Sequence, residues 1–346
     1  MKFFTANIHF FDNPEICEEL KLMKDVDVYC FQEVNWSAAS TPMDGFECTI
    51  RYKTQSTQVH LNFTDQQTLH DSVCRALGFP ISFEFQIKDD KGFVFYPNKK
   101  NPQPRAYQNN LILGSFMTPI ECWVKPNQFV ENTYCQKLAN NLNTPYCYFC
   151  GTQNPSFGNM ILSKHKFVDI QFEMLKGKLN LEWSTRNAQF VQLDLKTPMY
   201  VINTHLDHRF EDERLTQLAQ LFKKFPAEHH TVLCGDFNSL RKEDYTQQQI
   251  ESFNVIREEN KLEKCKFDVI NIVGEKMFDS AWFGPRGSVC GCVEPTTRYG
   301  TRVDYIFTSA DLKSGIVKEN VVVLDKSDHN GVLVEVHLGA VVELQE

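Results

Sequence analysis

The chain has 346 residues, with 36 Lys and Arg against 44 Asp and Glu, a net charge of −8. Binding nucleic acid by charge alone needs clustered basic residues that neutralise phosphates, so this balance excludes a passive, charge-driven coat protein but not an enzyme that meets phosphates through a metal ion. An apolar fraction of 42% and a charged fraction of 23% are ordinary for a globular protein, and no apolar run of about 18 residues exists to span a membrane.

In chain order, Lys2 to Ile8 reads as a first strand. Asn13-Pro14 reads as an N-cap followed by proline at the first helical position, with Ile16, Leu20 and Met23 at helical spacing behind it. A second strand is expected over Val26 to Val34. Phe46 to Lys53 and Thr57 to Phe63 read as a strand pair, and Leu69, Val73, Ala76 and Leu77 as one face of a short helix. Ile81 to Ile87 alternates again. That strand-strand-helix-strand order resembles a ubiquitin-like fold. The Pro- and Asn-containing stretch 98–128, locally positive with Lys99, Lys100, Arg105 and Lys125, reads as loop. Further strands are expected at 188–195, 199–205, 231–235, 303–308 and 331–337. An amphipathic helix is expected from Glu211 to Phe225, with Leu215, Leu218, Leu221, Phe222 and Phe225 on one face. Alternation of short apolar runs with amphipathic stretches predicts α/β or α+β.

The N-terminus turns polar too quickly for a signal peptide, which predicts reduced thiols and a cytoplasmic or nuclear location for the 12 cysteines. Cys147-x-x-Cys150 and Cys290-x-Cys292 have the donors of a four-thiolate zinc site. The second pair lacks the usual two-residue spacer, and all four are read as small buried hydrophobes.

Six segments place polar residues at strand ends. They are Thr5-Ala6-Asn7-Ile8, Phe31-Gln32-Glu33-Val34, Asn203-Thr204-His205-Leu206-Asp207-His208, Cys234-Gly235-Asp236-Phe237-Asn238-Ser239, Arg302-Val303-Asp304-Tyr305-Ile306 and Ser327-Asp328-His329-Asn330. Each alone is explicable as a turn, since Asp, Asn and Ser are turn formers. Together they suit phosphoester hydrolysis. Carboxylates are hard ligands for Mg²⁺ or Mn²⁺, and a bound cation polarises a phosphoryl oxygen and prepares hydroxide. A histidine held protonated by an aspartate binds developing negative charge.

With Gly158-Asn159-Met160-Ile161-Leu162-Ser163, these motifs resemble the endonuclease/exonuclease/phosphatase (DNase I-like) superfamily over about 1–45 and 129–346. The resemblance implies a four-layer α/β/β/α sandwich of two mostly antiparallel sheets, interrupted by an insert at 46–128. It implies a metal held by Glu33 with Asn7 beside it, and Asp328 contributing to a metal position or to the nucleophile network. Asp236 would orient the water with Asn238. His205 and Asn159 would face the phosphate. His329, oriented by Asp304, would stabilise the transition state. Arg186, before a strand, is a further phosphate candidate, since Arg suits bidentate contact; a solvated edge arginine is the alternative. The other histidines, His9 among them, are taken as surface or packed residues.

Superfamily members differ in loops, so motif does not fix substrate. Ala6-Asn7 stands where apurinic endonucleases carry Trp-Asn, and His9 where an acidic residue follows. Signature motifs for inositol phosphates are missing, as is the membrane-binding segment of neutral sphingomyelinases. The tracts Gly235 to Tyr245 and Tyr299 to Tyr305 resemble those of plant and protist members, and more loosely those of 5′-tyrosyl-DNA phosphodiesterase. The expected activity is hydrolysis of a phosphodiester, nucleic acid included. The alternatives are a small phosphoester or lipid headgroup as substrate, and an inactive fold that binds a protein partner through the 46–128 insert. A monomer is expected. Without Glu33, Asp236, Asp304 and Asp328 the net charge would be −4, against −8 for the whole chain, so part of the acidity belongs to the site.

Overall fold

In this computed structural model the described residues are 1–9, 15–35, 46–52, 55–61, 83–89, 92–97, 104–108, 120–124, 134–152, 157–179, 185–226, 229–282 and 293–338. The strands, in chain order, begin with β1 (Lys2–Asn7), β2 (Val28–Asn35), β3 (Phe46–Tyr52), β4 (Gln55–Leu61), β5 (Phe83–Asp89), β6 (Gly92–Pro97), β7 (Pro104–Gln108), β8 (Ile120–Val124) and β9 (Tyr146–Gly151). They continue with β10 (Phe157–Ser163), β11 (Phe167–Leu175), β12 (Arg186–Leu193), β13 (Met199–His205), β14 (His230–Asp236), β15 (Phe278–Asp279), β16 (Asp304–Thr308), β17 (Ile316–Val322) and β18 (Gly331–Val336). The α-helices are α1 (Ile16–Glu19), α2 (Tyr134–Asn141), α3 (Glu211–Lys223), α4 (Gln247–Glu259) and α5 (Asp268–Gly274). Mixed sheets and helices of this kind form an α/β sandwich, as expected.

The chain divides into two compact units, Met1–His9 with Asp25–Gln32 and His165–Glu346, and Phe10–Lys24 with Glu33–Lys164. In the first, one sheet runs β11-β12-β13-β14-β16-β15, with β13 and β14 parallel and the other pairs antiparallel. Facing it, β17-β18-β1-β2 follow one another in a second sheet, β1 and β2 parallel. Strands that are buried on both faces read as largely apolar runs; Phe3 to Asn7 and Thr231 to Asp236 are buried at every residue, with polar residues at Thr5, Asn7, Thr231 and Asp236. The acidic first turn of α3 (Glu211, Asp212, Glu213) and Lys223 at its end complement the helix dipole. Leu218 and Leu221 of α3 pack with Ile202, Leu233 and Phe307 of the six-stranded sheet, and Leu215, Phe222 and Phe225 lie against the same cluster. Truncating one such leucine to alanine costs about 2–5 kcal/mol.

In the second unit β7, β9 and β10 pair antiparallel, and β4-β3-β8-β6-β5 form an antiparallel five-stranded sheet. The stretch 98–128, expected as loop, carries β7 and β8. Composition misleads there for a physical reason. Proline is tolerated at the first residue of an edge strand, and Pro104 opens β7, which pairs on one side with β9 alone. β8 owes its place to distant partners, β3 and β6. The helix expected over Leu69 to Leu77, the cap at Asn13-Pro14 and the Cys290-x-Cys292 pair lie outside the described residues. Cys147 and Cys150 are buried as thiols, not disulfide-bonded.

One backbone approach fixes the strand that carries Asp236. Gly235 has φ 150°, and a Cβ there would lie 2.0 Å from the carbonyl oxygen of Thr204, its register partner on β13. Only glycine fits both demands. Gly235→Ala is therefore expected to lower stability by about 2–3 kcal/mol, read as a lower urea midpoint. An unchanged midpoint would mean that β13 and β14 separate freely at this rung.

Candidate active site

Antiparallel pairing of β14 with β16 sets Asp236 opposite Asp304, and parallel pairing of β13 with β14 sets His205 beside Asp236. Asn7 ends β1 on the facing sheet, and its Nδ2 donates to Asp236 Oδ2 at 3.2 Å. The loop before β18 supplies His329, whose Nδ1 lies 2.8 Å from Asp304 Oδ2. Ser327 fastens that loop: its hydroxyl donates to the Asn7 carbonyl at 2.8 Å and accepts from the His329 backbone N–H at 3.1 Å. Asn238 closes the group. Its N–H donates to Asp236 Oδ1 at 2.8 Å, and its Nδ2 reaches His205 Nε2 at 3.1 Å and the Leu206 carbonyl at 3.1 Å.

Protonation follows from burial and charge. Asp236 is 1% exposed, and burial together with the Asp304 carboxylate pushes its pKa up to about 7. Burial works against a charged His329, but Asp304, then Asp236 and Asp328, outweigh it and hold the imidazolium to about 10. His205 goes the other way. Burial, then the charges of Arg186, His329 and His208, holds it well below the ordinary histidine value. Neutral His205 accepts at Nε2 from Asn238, so its ring proton sits on Nδ1. Arg186 opens β12 and brings Nη2 to 3.2 Å from His208 Nδ1; burial and that guanidinium lower the His208 pKa as well.

Asp236, Asp304 and His329 each offer a ligand atom within 4.8 Å of the others. Asp304 Oδ1 is fully buried and accepts no hydrogen bond, while Oδ2 is taken by His329. A lone acceptor beside a second buried carboxylate is what a hard divalent cation would satisfy, so the donor set fits such an ion.

The remaining candidates sort differently. Asp328 is outside that trio; its half-exposed carboxylate lies 3.6 Å from His9 Nδ1. His9, read from sequence as an ordinary histidine, therefore borders the site, and its N–H donates to Asn7 Oδ1 at 3.2 Å. Glu33 and Asn159 belong to the second unit: Glu33 follows Gln32 on β2, and Asn159 is buried on β10. Asp207 is structural, its Oδ1 accepting from the N–H groups of Arg209 and Phe210 ahead of α3. Among the described residues, His9 (φ 41°), Glu33 (φ 55°), Asn143 (φ 54°), Asn238 (φ 49°) and Lys261 (φ 58°) hold left-handed backbone, three of the five at site or bordering positions. Such strain costs about 1–3 kcal/mol and collects at functional sites.

Three groups escaped sequence reasoning. Thr296 Oγ1 accepts from the N–H groups of Val303 and Asp304 at 3.0 and 3.2 Å. Arg302, the residue before Val303, is buried with a fork-like pair of bonds to Asp279. Behind the carboxylates, Gln32 Nε2 donates to Asn203 Oδ1 at 2.7 Å, and Asn203 Nδ2 donates to the Phe31 carbonyl at 3.0 Å and to Gln189 Oε1 at 3.1 Å. The Arg-x-Asp spacing at 302–304 was a visible signal for Arg302; nothing local marks its partner Asp279.

Among solved structures, an endonuclease/exonuclease/phosphatase family protein from Leptotrichia buccalis is similar at 15% identity and TM-score 0.47, over 98% of this chain and 100% of that one. The 3′ phosphatase NExo from Neisseria bound to a product DNA hairpin is similar at 14% identity and TM-score 0.48, over 97% and 99%. The human Nocturnin catalytic domain with a bound sulfate anion is similar at 15% identity and TM-score 0.45, over 97% and 92%. Comparison with curated proteins gives no match. No helix among the described residues is long and apolar enough to cross a membrane. The profile of the Endonuclease/Exonuclease/phosphatase family matches residues 4–329, and the chain belongs to that family.

Proposed function

We propose that the protein is a divalent-metal-dependent phosphoesterase that hydrolyses a phosphodiester by in-line attack of a water oriented by Asp236. The carrying observation is the buried carboxylate pair of Asp236 and Asp304 with part-buried His329 beside it, their ligand atoms all within 4.8 Å. Without a cation the Asp236 carboxyl is raised to about 7, and a bound divalent ion would favour its ionised form, which accepts from water. Asn238 donates to Oδ1 of that carboxylate and Asn7 to Oδ2, which fixes its plane and so the directions of the lone pairs left for water or a cation. His329, charged and tied through Nδ1 to Asp304, has Nε2–H left to donate to a phosphoryl oxygen as negative charge develops. Neutral His205 and Arg186 offer donors to the other phosphoryl oxygens. Asp236 and Asp304 would hold Mg²⁺ or Mn²⁺, with Glu33, Asp328 and the Asn7 carboxamide added on the family resemblance and Asn159 as a phosphate contact. When bound, the ion polarises the phosphoryl oxygen and acidifies water.

The test is a panel with Mg²⁺: single- and double-stranded DNA, a 5′-phosphotyrosyl oligonucleotide, poly(A) RNA, sphingomyelin and inositol phosphates. The wild type is expected to cleave at least one phosphodiester in a chelator-sensitive way, and Asp236→Ala to lose about 10³-fold in kcat. Equal rates for both proteins on every substrate would refute the reading.

Protonation predicts a second outcome for the metal-free protein. The Asp236 carboxyl has its folded pKa raised from 3.8 to about 7, so its contribution is complete below the lower value and is lost as pH rises through the upper one. His329, raised from 6.5 to about 10, behaves the same way at higher pH. In chelator, the urea midpoint should therefore fall between pH 5 and pH 8. Asp236→Asn should narrow that fall and raise the midpoint at pH 8 while abolishing activity. A midpoint that rises with pH in both proteins would contradict the assignment.

A further inference from the structure

Asp236 and Asp304 form the last register pair of β14 and β16, where both strands leave the sheet. One more backbone bond follows, from Phe237 N–H to the Val303 carbonyl at 2.9 Å. Beyond it the turn at Asn238-Ser239 and the approach at Arg302 diverge. One side chain, Tyr305, bonds to both. The Tyr305 hydroxyl, fully buried, lies 3.2 Å from the Ser239 carbonyl oxygen and 3.0 Å from that of Arg302. A phenol has one proton to donate, shared here between acceptors from the two diverging segments.

The ring is not free to swing. Phe307 stacks on it at 5.3 Å, Phe237 meets it edge-on at 5.7 Å, and the Arg302 guanidinium sits 4.3 Å from its centroid. That guanidinium is held in turn by both oxygens of Asp279 on β15 and by Asp244 at 3.3 Å. Tyr245 OH accepts from the Arg302 N–H at 2.6 Å.

We propose that Tyr305, oriented by the Arg302–Asp279 pair, is a positioning residue whose hydroxyl sets the separation between the turn carrying Asn238 and the strand start carrying Asp304. Those two segments hold the water-orienting half and the imidazolium-holding half of the site. The inference rests on the phosphoesterase reading. Groups that orient a metal site's ligands from behind are worth about 10–100-fold in metal affinity or activity.

Tyr305→Phe removes the hydroxyl and keeps the ring. Expected are a roughly tenfold weaker Mn²⁺ affinity by calorimetry and a roughly tenfold lower kcat at unchanged KM. In metal-free protein, the downfield Nδ1 proton of His329 and the Asn238 side-chain amide should both shift in the NMR spectrum. A purely structural role would lower Tm and leave Mn²⁺ affinity, kcat and those resonances of the folded protein at wild-type values, which overturns the proposal. If Tyr305→Phe does not fold, Arg302→Lys keeps the charge but loses the fork, and the same resonances should shift; unshifted, they overturn the proposal. If the wild type binds no Mn²⁺ and cleaves nothing, the phosphoesterase reading fails, and the metal-free resonances alone decide for or against the positioning role.

Discussion

Two carboxylates buried opposite each other on neighbouring strands are the constraint around which the site is built. The β14–β16 register places Asp236 against Asp304, one 1% and the other 0% exposed. Like charges at that separation in a low dielectric repel, and each loses hydration that a hydrogen bond or a cation must replace. The surroundings supply the replacement: Asn7 and the Asn238 N–H for Asp236, and the His329 imidazolium for Asp304. One oxygen, Asp304 Oδ1, is left over. A protein that retains such an unfilled acceptor at the centre of its most buried acidic pair keeps an energetic cost that apolar packing would remove. Function is the ordinary reason for a cost of that kind.

Support for this pair extends outward in layers. Gly235 lets β13 approach so that His205 falls beside Asp236. Between the two sheets of the first unit, Asn203 bonds to Gln32, Gln189 and the Phe31 carbonyl, while Gln32 Oε1 accepts no hydrogen bond, so the interior behind the carboxylates is polar and directional. The segment after His205 is locked to α3 by Arg214, which donates to the Asp207 carbonyl at 3.0 Å and to Glu211 at 2.8 Å, and by Gln217, which accepts from the Asp207 N–H at 2.8 Å. Buried ion pairs of this sort are weak contributors to stability compared with apolar packing of the same volume. Their benefit here is direction: each fixes a backbone segment that ends on a site residue.

How much of this was legible follows from which interactions are local. β1, β2, β12, β13, β14, β16 and β18 were readable because burial on both faces writes itself as a largely apolar run, and α3 because one face repeats at helical spacing; β9 and β10, just as buried, were not anticipated. The polar strand ends were readable for the same reason: Asn7, His205, Asp236 and Asp304 each interrupt a run that predicts a buried position. β17 was not, since Lys318, Glu319 and Asn320 break the pattern of a strand bonded on one side, to β18. α4 was missed although Thr246 and Gln249 form a reciprocal capping box at its start. Arg302 with Asp279 and His9 with Asp328 escaped because each acts through a partner far along the chain, and spacing carries no information about such pairs; Thr296 escaped although its partners are only seven and eight residues on, because a lone threonine in a loop carries no pattern.

Two histidines of the site illustrate why composition could not assign roles. His205 and His329 share a neighbourhood, and the charge of His329 contributes to the field at His205. Yet burial and Arg186 strip the proton from one, while Asp304 retains it on the other. Groups whose environments push their pKa values apart divide the acid and base tasks between them. Here the neutral ring lies on the side of Asp236 and Asn238, where a water would lose a proton, and the charged ring on the side of Asp304, where negative charge would be met. A net charge of −8 says nothing about that division. What governs it is the local order of charges along the two strand ends, carboxylates toward β16 and cationic Arg186 toward β12. A phosphoester bound between them would meet a base at one face and donors at the other.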